Sequence, residues 1–146
     1  MELNKQNFII IDTGYLVALG NTSDQNHKKA VALLKKLPQK KWITTWPVLT
    51  EVCYLLLKAS PDVLTLFLKN YEDKAFEVFD LIHQHAHKLQ VLMQKYRELP
   101  MDLADASLVI LAEHLGHGTI ISTDARDFKT YKWKNHQPFH NLFETY

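Results

Sequence analysis

The order of apolar runs and chain breakers predicts an α/β fold, a three-layer α/β/α sandwich around a mainly parallel central sheet. Three observations carry this. Short β-rich runs recur along the chain, "FIII" at 8–11, "KWITT" at 41–45, "FEVFD" at 76–80 and "TIIS" at 119–122. Between them lie segments with apolar residues at three- and four-residue spacing, and strands alternating with such segments build parallel sheets with helices on both faces. Finally, "FIII" is apolar without alternation, the pattern of a strand covered on both sides.

In chain order, the first strand ends at Asp12, and after the turn formers "GNTSDQN" residues 27–37 show helical spacing at Ala30, Val31, Leu34 and Leu37, stopped by Pro38. Beyond the second strand, Pro47 suits the first turn of a helix reaching about Ala59, and Ser60 with Pro61 reads as the cap and first residue of another. After the third strand a long helix is predicted over 81–99, ended by Pro100. "MDLADASLVILAEHLG" at 101–116 forms the next, with Gly116 and Gly118 as its stop. The fourth strand follows, and the tail "ARDFKTYKWKNHQPFHNLFETY" predicts a short helical turn and a last edge strand. Without repeats, linkers or low-complexity segments, residues 1–146 read as one domain.

The totals bound what such a domain does. With 47% hydrophobic residues in a chain of 146, a core forms without covalent staples. A formal net charge of +1 gives no global sign that selects a partner. Cys53 is the only cysteine, which excludes an internal disulfide and thiolate clusters and makes the cytoplasm the expected compartment. The N-terminal apolar run meets Asp12 after four residues, too soon for a signal sequence or membrane span.

The acidic residues carry the chemistry. On a helical wheel at about 100° per residue, Asp105 points with Val109, Ala112 and Gly116, while Ser107 and His114 lie opposite. Asp102 sits within about 60° of Asp105 and also suits the helix cap. Capping explains Asp105 less well, since it lies a turn inside the helix. Glu51 interrupts a stripe of Val48, Tyr54 and Leu55, and Asp12 closes the first strand. Asp124 follows the fourth strand, with Asp127 in the next turn, where both also read as cap and first-turn acids. The predicted topology brings Asp12, Glu51, Asp105 and Asp124 to one rim, the carboxyl end of the sheet where ligands bind in such folds.

Carboxylates gathered at roughly 5 Å repel by about 3 kcal/mol per pair at an effective dielectric near 20. A divalent cation relieves this while keeping every oxygen as a ligand. Hard oxygen donors without cysteine favour Mg2+ or Mn2+, which suit phosphodiester chemistry.

These motifs, in order, resemble the PIN-domain ribonucleases, including toxins of the VapC type. The resemblance rests on "FIIIDTGYLVAL", Glu51 within "TTWPVLTEVCYLL", "MDLADASLVILAEHLG" and "IISTDARDF", and spans residues 8–128. It implies that Asp12, Glu51, Asp105 and Asp124 are the catalytic acids, with Asp12, Asp105 and Asp124 as metal ligands and Asp127 as an auxiliary acid; by position alone, Asp102 reads as an auxiliary acid or a helix cap, and Thr13 and Ser122 as hydroxyls that bond metal-bound water or phosphate or else form turns. The resemblance further implies a Mg2+ or Mn2+ cofactor, endonucleolytic hydrolysis of single-stranded RNA, a homodimer and a cognate antitoxin; the lack of a long apolar run predicts no membrane partner.

Other features point less far. His83 and His87 in "HQHAH" stand four apart on the predicted helix, without a third ligand. Arg126, Lys129, Lys132 and Lys134 alternate with Phe128, Tyr131 and Trp133, a pattern that serves RNA contact or ordinary edge packing. Cys53 reads as inert core, and Gly14 as a tight turn. A haloacid-dehalogenase-like phosphatase also has an aspartate after its first strand but needs a second acid two residues on, where this chain has Gly14. The alternative from another class is a PIN-like RNA-binding or protein-interaction module without turnover.

Overall fold

The computed structural model describes residues 4–37 and 39–145. Along them run β1 (Phe8–Ile11), α1 (Thr13–Gly20), α2 (His27–Lys36), β2 (Lys41–Thr45), α3 (Trp46–Ala59), α4 (Pro61–Glu72) and β3 (Glu77–Phe79). Then come α5 (Ala86–Lys95), α6 (Leu103–Leu115), β4 (Thr119–Ile121), α7 (Ala125–Thr130), β5 (Lys132–Trp133), β6 (Gln137–Pro138), β7 (His140–Asn141) and α8 (Leu142–Thr145). Five strands form one parallel sheet in the order β3-β2-β1-β4-β7, and β5 and β6 make a small antiparallel ribbon.

β1 takes the centre because all four of its side chains are buried and both faces need cover. From β1 the chain crosses outward to β2 and β3, then returns through α5 and α6 to pair β4 with the other side of β1. The direction of winding therefore reverses between β1 and β4, where an open α/β sheet leaves a crevice at its carboxyl end. Ile11 pairs with Ile121 and Thr45 with Phe79, so Asp12, Trp46, Asp80 and Ser122 all emerge on that rim.

α6 is the buried spine. Leu108, Val109, Leu111 and Ala112 are fully buried, and so is Ser107, which the wheel had set opposite the apolar arc. The helix lies between α3, α5 and the sheet, so it has little solvent face. Ser107 is accommodated because its hydroxyl bonds to Thr45 Oγ1 and Ala104 O, each at 2.6 Å. Gly116 adopts φ +77° and ends the helix. Gly118 is not part of that stop: a Cβ there would come within 2.7 Å of Trp133 Nε1 and 3.2 Å of Phe139 Cα.

The periodicity misled in four other places. α1 had no predicted counterpart, because Tyr15, Leu16, Val17 and Ala18 are all buried and leave no polar stripe to reveal a period. In α2 the packed face is Ala30 and Leu33, while Leu34 is 46% exposed; Pro38, the predicted stop, lies outside the described residues. The long helix over 81–99 is shorter: a 3₁₀ turn at His83–His85 precedes α5, which ends at Lys95. His83 and His87 thus sit on different elements, both exposed, and the supposed i,i+4 pair does not exist. Lastly, Gly14 lies inside α1 rather than in a tight turn, and a Cβ on it would overlap Thr123 Oγ1 in the loop after β4. Ser60 does cap α4, and among the described residues no helix is long and apolar enough to cross a membrane.

A candidate acidic site between β1 and β4

The ends of β1 and β4 are tied by their side chains. Asp12 Oδ1 accepts the Thr13 N–H at 2.7 Å, and Asp12 Oδ2 accepts the Ser122 hydroxyl at 2.8 Å. Ser122 Oγ in turn accepts the Asp124 N–H at 3.0 Å. Thr13 donates its hydroxyl to Glu51 Oε2 at 2.9 Å, which fixes α3 against the start of α1. Thr13 and Ser122 thus each hold one acid across two elements.

The position of Asp105 has a local reason that the helical wheel missed. Asp102 caps α6 by accepting the Asp105 N–H at 2.8 Å, and Asp105 Oδ2 reaches back to the Asp102 N–H at 3.4 Å, a reciprocal capping box. Capping therefore serves both acids. The same Oδ2 accepts the Tyr131 hydroxyl at 3.3 Å. Tyr131 is buried, as is Phe128, so neither tail aromatic is free to stack on a base. Sequence spacing offered no sign that Tyr131 reaches Asp105, since 26 residues separate them. Glu51 is half-buried, and of its stripe only Val48 is core: Tyr54 and Leu55 are 59% and 41% exposed, and α3 packs through Val48, Leu49, Val52 and Leu56.

The electrostatics follow from burial. Loss of water pushes the Asp12 carboxyl up to about 6, against the Ser122 and Thr13 hydrogen bonds, and the charges of Asp124 and Asp102 add to the rise. Glu51 is pushed up to about 7 by burial first, then by a carboxyl-to-carboxyl contact with Asp102. Asp105 rises to about 8 through burial and the neighbouring Asp102 and Asp12. Asp127 rises to about 6 through burial and its contact with Asp124. Burial and the nearby carboxylates raise the Tyr131 phenol as well, so it stays a neutral donor. Among the described residues, no lysine or arginine forms an ion pair with any of these acids.

Asp12, Glu51, Asp102, Asp105, Asp124 and Asp127 therefore act on one another as a single group. Their oxygens are hard donors without a paired lysine or arginine among the described residues, and their proton affinities are raised first by burial and then by one another's charge, so the residues fit a divalent cation. Among the described residues, however, no three His, Cys, Asp or Glu side chains are arranged to hold an ion as they stand.

The tail cations stand differently. Arg126 is exposed at the start of α7, Lys129 pairs with Glu144 at 3.3 Å, and Lys132 Nζ donates to Lys129 O at 3.2 Å. Cys53 is partly buried, and burial raises its thiol.

A family model for the PIN domain matches residues 9–134. No curated protein matches the chain. Among solved structures, the fold is similar to that of Mycobacterium tuberculosis VapC20, described as a sarcin-ricin loop cleaving toxin. The superposition has a TM-score of 0.71 at 19% identity and covers 81% of this chain and 91% of that one. At that identity the likeness is one of fold. With the family model spanning most of its length, this chain belongs to the PIN domain family.

Proposed function

We propose that this protein is a Mg2+- or Mn2+-dependent endoribonuclease that hydrolyses phosphodiester bonds in single-stranded RNA, and that it is the toxin of a toxin–antitoxin pair. The observation that carries the reading is the gathering of Asp12, Glu51, Asp105 and Asp124 at the switch between β1 and β4 with, among the described residues, no lysine or arginine in an ion pair with them. Membership of the PIN family and the fold shared with a toxin that cleaves the sarcin-ricin loop support it.

Asp12, Asp105 and Asp124 would hold the ion, with Glu51 completing the acidic set. When bound, such an ion neutralises charge on the phosphate and makes water a stronger acid. The remaining work belongs to the chain. Thr13 and Ser122 keep Glu51 and Asp12 from drifting apart, while the Asp102 N–H and the Tyr131 hydroxyl hold the Asp105 carboxyl at the helix start. Glu51, its carboxylate held by the Thr13 hydroxyl, would be placed to take a proton from the attacking water. Asp127 supports Asp124 at the start of α7.

Binding RNA beside so many acids needs positive charge elsewhere. The six clustered acids leave ten others against 17 lysines and arginines, so the surface away from the site is basic. Arg126, Lys129 and Lys132 on the adjoining α7–β5 segment are the proposed phosphate contacts. The family also supports a homodimer, an antitoxin that masks the site and a cytoplasmic setting.

The test is cleavage of single-stranded RNA by the purified chain in Mg2+ or Mn2+, against EDTA and against Asp105→Asn, with calorimetry of ion binding. Ion-dependent cleavage lost in Asp105→Asn is the expected result. RNA binding without cleavage, unchanged by that substitution, would instead identify a catalytically silent PIN-like binding module.

A further inference from the structure

We infer that Trp46 is the stacking platform for a base of the RNA, one nucleotide away from the bond cut at the acidic site; this rests on the nuclease reading above. Trp46 opens α3 at the rim of the sheet and is 49% exposed, although a large aromatic is costly to leave in water. It is not a loose side chain. Its Nε1–H donates to Asp80 Oδ1 at 3.1 Å across the rim, and its ring packs edge-on against Tyr71 with centroids 5.8 Å apart. Tyr71 stacks on Phe76 at 5.4 Å, and Phe76 on Phe67 at 5.4 Å, the last two buried in the core. The indole is thus braced from behind by a column of rings and pinned at its polar edge, with its remaining surface turned to solvent.

What lies beside that surface selects the occupant. Trp46, Pro47, Thr50, Glu51, Asp102 and Leu103 line one open depression of about 420 Å³. Two of those residues belong to the acidic cluster, so the indole and the proposed site for the scissile phosphate share a wall. Trp46 precedes Glu51 by five residues on α3, an axial offset of about 7.5 Å between their backbones, and both side chains line the same depression, so a single nucleotide spans from the indole to the acids. A nucleobase fits this depression: it offers a flat π face to the indole and carries no negative charge to meet Glu51 and Asp102, while its own phosphate points toward the site. Base-on-aromatic stacking tolerates any base, so the contact grips single strands, whose bases are free, and excludes paired ones. Nothing in the sequence separates Trp46 from Trp42 and Trp133, which are only partly buried core-edge residues.

The experiment compares wild type, Trp46→Phe and Trp46→Ala on a short single-stranded RNA. Steady-state cleavage in Mn2+ gives KM and kcat, and fluorescence anisotropy in Ca2+ gives affinity apart from cleavage. Trp46→Ala should raise KM and the dissociation constant about tenfold, the scale of one aromatic–base contact, with most of the loss in KM, and Trp46→Phe should recover most of it. Replacing the nucleotides beside the cleaved bond one at a time by abasic ones should find a single position where wild type falls to the level of Trp46→Ala and the substitution has no further effect. Cleavage by Trp46→Ala with unchanged KM overturns the platform and leaves the nuclease reading intact. Trp46-dependent binding without any cleavage in wild type keeps the platform and removes the nuclease. If Trp46→Ala leaves RNA affinity unchanged but shifts the oligomeric state in gel filtration, the surface is a protein contact and the inference fails.

Discussion

Replacing Asp12 by asparagine should make the metal-free protein more stable at pH 8 and less stable at pH 4. Asp12 is 6% exposed, and burial lifts its carboxyl from 3.8 to about 6. The folded chain therefore binds this proton more tightly than the unfolded chain, and stability falls as pH rises from about 4 through about 6. Above pH 6 the folded state carries a cost of about 3 kcal/mol for holding the carboxylate out of water. Asparagine removes that cost because it does not ionise. It also brings one of its own, since both oxygens of Asp12 accept hydrogen bonds, from Thr13 N–H and the Ser122 hydroxyl, and the amide keeps only one acceptor. That mismatch costs about 1 kcal/mol. The net effect is a gain of about 2 kcal/mol at pH 8, or about 8 °C in Tm for a chain of this size, turning into a loss of about 1 kcal/mol at pH 4. Thermal melts followed by circular dichroism in EDTA at the two pH values measure it. On adding Mg2+ at pH 8, wild type should gain stability and the variant should not. A difference between variant and wild type that is the same at pH 4 and pH 8 would refute the assignment of a desolvation cost to Asp12.

Asp105→Asn should keep the fold, because the amide oxygen still accepts the Asp102 N–H, yet lower RNA cleavage by at least about 100-fold and abolish stabilisation by Mn2+, read in gel assays and melts. Ser107→Ala should cost about 1 to 2 kcal/mol by stranding Thr45 Oγ1 in the core, whereas Thr45→Val with Ser107→Ala should cost less than the two singles together; urea unfolding of the four proteins gives the coupling. Gly14→Ala should lower Tm because its methyl overlaps Thr123 Oγ1, and Thr123→Ala in the same chain should restore part of the loss. Leu108→Ala, at the fully buried centre of α6, should cost about 3 kcal/mol in the same unfolding assay.

Much of the architecture was legible because it depends on local chemistry. An apolar run with no polar alternation, such as Phe8–Ile11, belongs at the centre of a parallel sheet, and Ser60 before Pro61 announces a helix start wherever it sits. The three acids that end or follow strands and helix caps, Asp12, Asp102 and Asp124, stood out by position. What failed was periodicity in buried segments: α1 carries no amphipathic signal because nearly all of it is covered, and Ser107 is covered in the middle of a face of α6 whose ends, Leu103 and His114, are exposed. The overextended helix over 81–99 failed for the opposite reason, as apolar residues at the right spacing also occur in the turns that flank α5.

The sequence by itself determined the four main strands and most of the helices between them, the all-carboxylate chemistry and the single cysteine, all properties of residue type and near spacing. Only the tertiary structure decided that Tyr131 meets Asp105, that Thr13 meets Glu51, and that Trp46 is braced by Tyr71 and pinned by Asp80 beside the acids. Tyr131 reaches Asp105 from beyond the crossover that pairs β4 with β1, whereas the Thr13–Glu51 and Trp46 contacts join segments packed on the β1-β2-β3 half of the sheet. Such contacts depend on which segments share a wall, a property of the whole packing that no local pattern encodes.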